Sequence, residues 1–285
     1  MTTTATPPPP PASAPAPGTA RPNSALRGIL LLIGSILLIG MLVSAGLRIV
    51  QLAGFEDHSG THQVTEAVDS VLLDTSAADV VVQYGDVTHP QIDFDQARDD
   101  QVMRYGVRNG ELRVDVDQRR GFWFFGPSIG WGSRGSELTL TLPTGATGMD
   151  LSLNTTAGDL QAHGDFGALD IDMTAGQMLL SGGAESVQVD STAASLRAED
   201  FAVTGPVGVD ITAGDLHFEA ADLPSAIDVT STAAGVRFEL PAGEYEIRTD
   251  STAGGVNQGV ASTPGADRVY TFDATAGEVV LVERP

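Results

Sequence analysis

The chain has no cysteine and no lysine among its 285 residues, so all fifteen basic residues are arginines. Without cysteine there is no disulfide framework, no thiolate ligand for zinc and no thiol nucleophile. Any part outside the cell must therefore be stable through burial alone. Without lysine, Schiff-base chemistry and a P-loop lysine are also excluded. These two absences remove several classes of enzyme.

Acidic residues are absent from the first 55 positions, and all 37 of them follow. The formal net charge of the chain is −22. A surface of this sign repels nucleic acid and anionic lipid head groups. We therefore expect no nucleic-acid partner, and we interpret the charge mainly as a source of solubility outside the cell.

The first 50 residues differ in composition from the rest. Residues 1–25 hold eight of the sixteen prolines and predict a disordered tail. Residues 26–50 are apolar and carry no charge between Arg27 and Arg48, which predicts one transmembrane helix. Arginines before this helix and acids after it favour a cytoplasmic tail and an extracytoplasmic C-terminal domain in a single-pass membrane protein. A cleaved signal peptide is the alternative, because "VSA" before Gly46 resembles a cleavage site.

A short motif recurs along the second half of the chain, as in "NTTAGDL", "DITAGDL" and "DATAGEV". Its copies align on Thr156, Thr174, Thr192, Thr212, Thr232, Thr252 and Thr275. Consecutive threonines are separated by 18, 18, 20, 20, 20 and 23 residues. Self-similarity at this period indicates stacked supersecondary units.

Each unit alternates apolar and polar residues on both sides of the threonine. Apolar residues stand five and three positions before it and four positions after it, as in Val207, Val209 and Leu216. Since these offsets differ in parity, the strand register must reset between them, at the small Ala-Gly or Ala-Ala pair. We predict an all-β fold, a β-solenoid of repeats of about 20 residues in which each motif is a corner between two strands.

The region from residue 64 to 147 also alternates, but less regularly. Asn109-Gly110 predicts a type I′ hairpin, and "ELTLTLP" leads into the repeats. We therefore predict a linker over 51–63 and one β-strand-repeat domain over 64–285, with an aromatic loop at 119–135 and regular repeats over 148–285.

Tandem units of a strand, "TAGD" and a second strand, following "LTLPTGATGMDLSLNTTAGDLQAHG", resemble the bacterial putative-adhesin family of β-strand-repeat proteins, also called the Toastrack domain. The resemblance covers residues 64–285. It implies a β-solenoid at the cell envelope, acting in adhesion or envelope-stress sensing, with no assigned active site. Glycines of the motif are replaced by alanine at Ala194 and Ala234.

Acidic residues also recur two positions before the threonine, notably Asp172, Asp190 and Asp210. Stacking would place neighbouring carboxylates about 4.8 Å apart, where like charges repel. We favour local hydrogen bonds from corner amides as the compensation. A calcium site formed by these three aspartates is the alternative, because calcium prefers carboxylate oxygens.

Aromatic residues cluster in "RRGFWFFGPSIGWGSRG". The cluster comprises Phe122, Trp123, Phe124, Phe125 and Trp131. A hydrophobic cap on one end of the solenoid is one interpretation, and contact with a membrane or a partner is the other.

No catalytic pattern emerges. Ser128 in "GPSIG" lacks the helix that a nucleophile elbow requires, and the five histidines share no zinc-ligand spacing. We therefore predict a protein that is not an enzyme and has no cofactor apart from possible calcium. Its expected partners are the membrane, through its own helix, and an envelope protein or polymer. A calcium-dependent adhesin and a carbohydrate-active β-helix enzyme are the alternatives.

Overall fold

The computed structural model describes residues 55–57, 59–96, 101–118 and 136–284. The predicted tail, the predicted transmembrane helix and the aromatic loop lie outside these residues. Within the described ranges, no helix is long and apolar enough to cross a membrane.

Each repeat forms one coil, meaning two strand segments joined by a corner. The coils are built from β9 (Met149–Ala157), β10 (Leu160–Val203), β11 (Pro206–Ala220), β12 (Ala226–Leu240), β13 (Glu246–Gly259) and β14 (Val269–Glu283). Neighbouring coils pair in parallel and in register, so that Leu169 lies opposite Leu151 and Val207 opposite Val187. The segments before the corners form a first ladder and those after the corners form a second ladder. The predicted all-β fold of stacked repeats is confirmed.

The corners reset the side-chain register, as predicted. In β11, Val209 and Ile211 before the corner and Leu216 after it are all buried, although the last two are an odd number of residues apart. Gly214 at the corner has a φ of +127°, and a Cβ there would lie 2.1 Å from the carbonyl oxygen of Ala194. Glycine is therefore required at this corner both by its backbone conformation and by the closeness of the next coil.

The first coil along the chain lies inside the stack. It consists of β3 (Ser70–Thr75) and β4 (Ala78–Gly85), which pair with β9 and with the start of β10. The coil beyond it consists of β7 (Glu111–Gln118) and β8 (Ser136–Pro143), which pair in parallel with β3 and β4. A short 3-10 turn, Thr144–Ala146, follows β8.

The order of the last two coils is the reverse of their order in the chain. β14 lies between β12 and β13, so β13 is the end of the stack. Inward positions explain this arrangement, because Phe272 and Leu281 of β14 are fully buried, whereas β13 carries Thr249 and Gln258 at the paired positions. A polar coil is suited to the end of a solenoid, where one face meets water. The last two coils therefore do not stack in chain order.

Antiparallel strands cover the opposite end. β6 (Gln101–Arg108) pairs with β7 and β1 (Phe55–Asp57), while β5 (Gln91–Asp95) pairs with β8 and β2 (Gly60–Gln63). Asn109 and Gly110 both have positive φ between β6 and β7, which confirms the predicted hairpin. Since β1 and β2 belong to the sheet, ordered strands occur within the predicted linker 51–63.

Aromatic side chains fill the interior towards the C-terminal coils. The rings of Phe218 and Phe238 stack with centroids 5.1 Å apart, and Phe238 meets Phe272 edge to face at 5.2 Å. Tyr270 is also buried, and its hydroxyl donates a hydrogen bond of 2.9 Å to the Pro224 carbonyl. Because the coils share one interior, a defect in one coil affects its neighbours.

Replacing Val209 with aspartate should unfold the stack. Val209 is 3% exposed and lies opposite Val189 and Val229, so the new carboxylate would be buried without a partner at a cost of several kcal/mol. We expect a large fall in melting temperature, measured by circular dichroism at neutral pH.

The matched control is Thr204→Asp, which adds the same charge at an exposed turn before β11. We expect this variant to melt close to the wild-type temperature. Equal melting of V209D and wild type would show that this position does not face the core.

Candidate binding surface

Aspartates form a straight acidic column on the outside of the first ladder. Its members, in stack order, are Asp115, Asp74, Asn154, Asp172, Asp190, Asp210, Thr230, Asp273 and Asp250. Asp172, Asp190 and Asp210 are exposed and lie in adjacent coils. The column therefore exists as the repeat spacing predicts, and Asp115 extends it from a coil that lacks the motif.

Local hydrogen bonds do not stabilise the middle of this column. In the described structure Asp172, Asp190 and Asp210 accept none, so the prediction that corner amides compensate them is wrong. The corners are braced instead by Asp79 and Asp159, whose Oδ1 atoms accept hydrogen bonds from the amides of Asp159 and Gln177 in the adjacent coils, at 3.0 and 3.2 Å. These aspartates follow the corner, where the next coil presents its amide.

The column aspartates therefore have perturbed acidity. Partial burial raises the pKa of Asp172, and the charge of Asp190 raises it further. Partial burial and Asp190 also raise the pKa of Asp210 and of Asp170. Whether calcium relieves this repulsion stays a prediction. In a straight column, one ion can lie between adjacent carboxylates but cannot contact all three.

A shallow groove of about 420 Å³ runs across four coils beside the acidic column. We call it the acidic groove. Asp170 and Asp228 stand at its two ends, and its outward side chains are otherwise small or uncharged: Ala168, Ser186, Gln188, Pro206 and Ala226. Its lining contains no basic residue.

Gly208 forms the floor of this groove. It lies between Gln188 and Asp228 in the first ladder, and a Cβ there would meet only the end of the Gln188 side chain, at 2.2 Å. Its φ is not positive, so other residues can adopt this backbone. The flexible amide of Gln188 occupies the space that a side chain at position 208 would fill, so a larger residue there requires this amide to move.

Alternating charges occupy the outside of the second ladder. Arg197, His217 and Arg237 are paired across three coils, and each has a glutamate two residues later: Glu199, Glu219 and Glu239. Arg237 donates hydrogen bonds of 2.9 and 2.8 Å to Oε1 of Glu239, and Arg197 donates one to Glu199. His217 Nε2 lies 3.3 Å from Glu219 Oε1 and 3.5 Å from Glu239 Oε1.

The aromatic loop lies in the sequence between β7 and β8. Thr75 pairs with Val116 and Ala78 pairs with Ser136, so residues 119–135 join β7 to β8 where β3 and β4 are joined by Ser76 and Ala77. The proposed contact residues Phe122, Trp123, Phe124, Phe125 and Trp131 lie outside the described residues. Whether they cap one end of the solenoid or contact a membrane or a partner stays a prediction.

We call His217, Glu219 and Glu239 the glutamate-histidine cluster. Neither this cluster nor the acidic groove follows from the motif alignment. The groove depends on which outward positions carry small side chains in four consecutive coils. The aligned repeats contain this information, but the sequence analysis compared only their apolar and acidic positions. The cluster joins His217 to a residue of the next coil, so a search for spacing between histidines could not detect it.

Parallel coils with two strands each, in-register apolar columns and glycine corners define this protein as a β-strand-repeat solenoid. The sequence profile of the Toastrack DUF4097 family matches residues 68–257, and the chain belongs to that family. The resemblance inferred from the repeats is thus confirmed. β14 lies outside the matched range.

Several solved structures resemble the chain. A putative cell adhesion protein from Clostridium sporogenes has 11% identity and a TM-score of 0.35, with coverage of 81% of this chain and 100% of that one. A putative adhesin from Bacteroides fragilis has 12% identity and a TM-score of 0.41, with coverage of 80% of this chain and 96% of that one. A putative adhesin from Parabacteroides merdae has 11% identity and a TM-score of 0.40, with coverage of 78% of this chain and 95% of that one. No curated protein matches the chain. At these TM-scores the similarities carry no argument about function.

Asp190→Asn should stabilise the protein slightly at neutral pH. The change removes a negative charge beside Asp172 and Asp210, each interaction costing about 1 kcal/mol or less in water-like surroundings, and it removes no hydrogen bond. Since raised folded-state pKa values weaken folding above the ordinary carboxyl pKa, the gain should shrink as the pH falls towards that range. NMR titration should show lower pKa values for Asp172 and Asp210.

The control is Asp228→Asn, because Asp228 pairs with Gly208 and Thr271 rather than with carboxylates. It should leave the pKa values of Asp172 and Asp210 unchanged. If D190N does the same, the column residues do not interact.

Proposed function

We propose that this protein is a non-enzymatic binding module of the cell envelope, tethered by residues 26–50, whose acidic groove binds an extended, positively charged segment of a partner. The observation that carries the proposal is the groove itself, which crosses four rigid coils between Asp170 and Asp228 and has no basic residue in its lining.

Charge complementarity selects the partner. Asp172, Asp190 and Asp210 run beside the groove, and the whole chain has a net charge of −22. A field of this sign attracts cationic segments and repels nucleic acid and anionic polymers. Because Asp172 and Asp210 carry raised pKa values, a cation beside them would also relieve an existing repulsion.

The open shape of the groove supports a role without catalysis. Its two end carboxylates, Asp170 and Asp228, are separated by three coil steps, or about 14 Å at the usual distance between strands, and do not converge on one bond. The groove is also shallow, so it would not exclude water from a reacting bond.

Residues 26–50 supply the proposed anchor. The uncharged stretch between Arg27 and Arg48 suits the thickness of the hydrocarbon layer, and Arg21 and Arg27 at its N-terminal side favour a cytoplasmic N-terminus. The acidic repeats would then lie outside the cell. An oxidising environment would not affect them through thiols, because the chain has no cysteine. Binding there could serve adhesion or the sensing of envelope stress.

Groove binding can be tested with a fluorescent arginine-rich peptide and the purified full-length protein. We expect salt-sensitive binding by fluorescence anisotropy, because exposed charges are screened. Asp170→Asn with Asp228→Asn should weaken binding roughly two- to thirtyfold, since exposed ion pairs contribute about 0.2–1 kcal/mol each. Gly208→Thr should weaken it by filling the floor without loss of folding.

The matched control is Asp95→Asn with Glu137→Gln, an exposed pair on β5 and β8 that changes the net charge equally. It should bind almost as well as wild type. An equal loss of peptide affinity in both double variants would show that the groove contributes only through net charge. Absence of peptide binding by the wild type would refute the proposed partner.

The anchor and its orientation can be tested by adding protease to intact cells. We expect digestion of the chain after about residue 55 and protection of an epitope tag placed at the N-terminus. Permeabilised cells provide the control, in which the tag should also be lost. Protection of the repeats in intact cells would contradict the orientation, and release of the intact repeat domain without protease would indicate a cleaved signal peptide.

A further inference from the structure

The glutamate-histidine cluster on the second ladder is independent of the acidic groove. His217 and Glu219 belong to β11, and Glu239 lies opposite Glu219 on β12. One ligand atom from each residue lies within 4.8 Å of the other two. Two strands of the rigid stack therefore direct an imidazole nitrogen and two carboxylates to one point.

Both distances from the imidazole nitrogen to the carboxylates match the edges of a metal tetrahedron. His217 Nε2 lies 3.3 Å from Glu219 Oε1 and 3.5 Å from Glu239 Oε1. Zinc binds nitrogen and oxygen ligands at about 2.0–2.1 Å, so two ligands of a tetrahedral site lie about 3.3–3.4 Å apart. Only small side-chain movements are needed to place an ion between these atoms.

The imidazole nitrogen faces two carboxylates. His217 Nε2 is buried, although the side chain as a whole is 26% exposed, and it lies within ion-pair distance of both glutamates without a hydrogen bond of good geometry. A metal ion between these atoms would give the nitrogen a directional partner. The partly exposed site also leaves room for water as a further ligand.

Two arginines border the cluster, and one of them is bonded to a proposed ligand. Arg237 donates two hydrogen bonds to Oε1 of Glu239, so an ion would use the other carboxylate oxygen of Glu239 or displace the guanidinium. Arg197, which is bonded to Glu199, faces the other side of His217. The glutamates Glu199, Glu219 and Glu239 outnumber these two arginines, so the cluster retains a net negative charge before a metal binds.

We propose that His217, Glu219 and Glu239 form a site for a divalent transition metal, with Zn²⁺ as the best-fitting ion and water in the remaining position. The ion would join β11 to β12 across the outside of the solenoid. It would differ from the calcium hypothesis in its place, because the acidic column runs along the first ladder. It would also differ in ligand chemistry, because imidazole favours zinc over calcium.

Zinc binding is tested on metal-free full-length protein by isothermal titration calorimetry with zinc chloride. We expect one ion per chain and a higher melting temperature with zinc than with a chelator. His217→Ala and Glu219→Gln should each weaken binding more than about tenfold. Cobalt substitution should give visible absorption typical of low coordination number, and this absorption should be lost in both variants.

The matched control is His163→Ala, which removes another outward histidine of the second ladder, one that is hydrogen-bonded to Ser181 at 2.6 Å. It should leave zinc affinity unchanged. Melting curves in chelator establish that each variant is folded. Absence of binding by the wild type, or equal affinity in wild type, H217A and E219Q, would overturn the proposal.

Discussion

In-register parallel stacking is the constraint on which the rest of this structure depends. Once one coil lies directly on another, each position along the repeat becomes a column, and every column is either inside or outside. Inside, the constraint demands unbroken apolar columns, which Val189, Val209 and Val229 provide. It also determines the order of the coils, because β14 can lie between two neighbours whereas β13, with Thr249 inside, belongs at the end.

The same constraint explains what could be predicted from the sequence. Strands, corners and the acidic column are local or periodic features, and the threonine alignment contains all of them. The exchange of β13 and β14 is not periodic, since it depends on comparing how apolar each coil is. The burial of β3 and β4 inside the stack is likewise hidden, because Val71 pairs with Leu151 across 80 residues. The alignment identified the column that contains Asp190, but the absence of hydrogen bonds at Asp172, Asp190 and Asp210 in the described structure depends on side-chain geometry.

Stacking also turns single charges into rows, and the two ladders deal with this differently. On the second ladder, Arg197 and Arg237 alternate with glutamates along each strand, so opposite charges are close and Glu239 is stabilised in its charged form. On the first ladder, like charges adjoin at Asp190 and Asp210, and their repulsion is interrupted only by Asn154 and Thr230. Uncompensated charge therefore accumulates beside the acidic groove.

A row of repelling carboxylates lowers the stability of the fold. An uncharged residue can occupy positions of this column, as Asn154 and Thr230 show, so the fold itself does not require an aspartate there. The carboxylates cannot move apart without cost, because moving one coil would disturb its apolar contacts with the coils on both sides. The binding of a cation along this row would include the electrostatic attraction but no further cost for bringing the carboxylates together, since the ladder already holds them side by side. In the proposed function, the rigid interior would therefore convert a cost in folding energy into preorganised affinity for positive charge on one face.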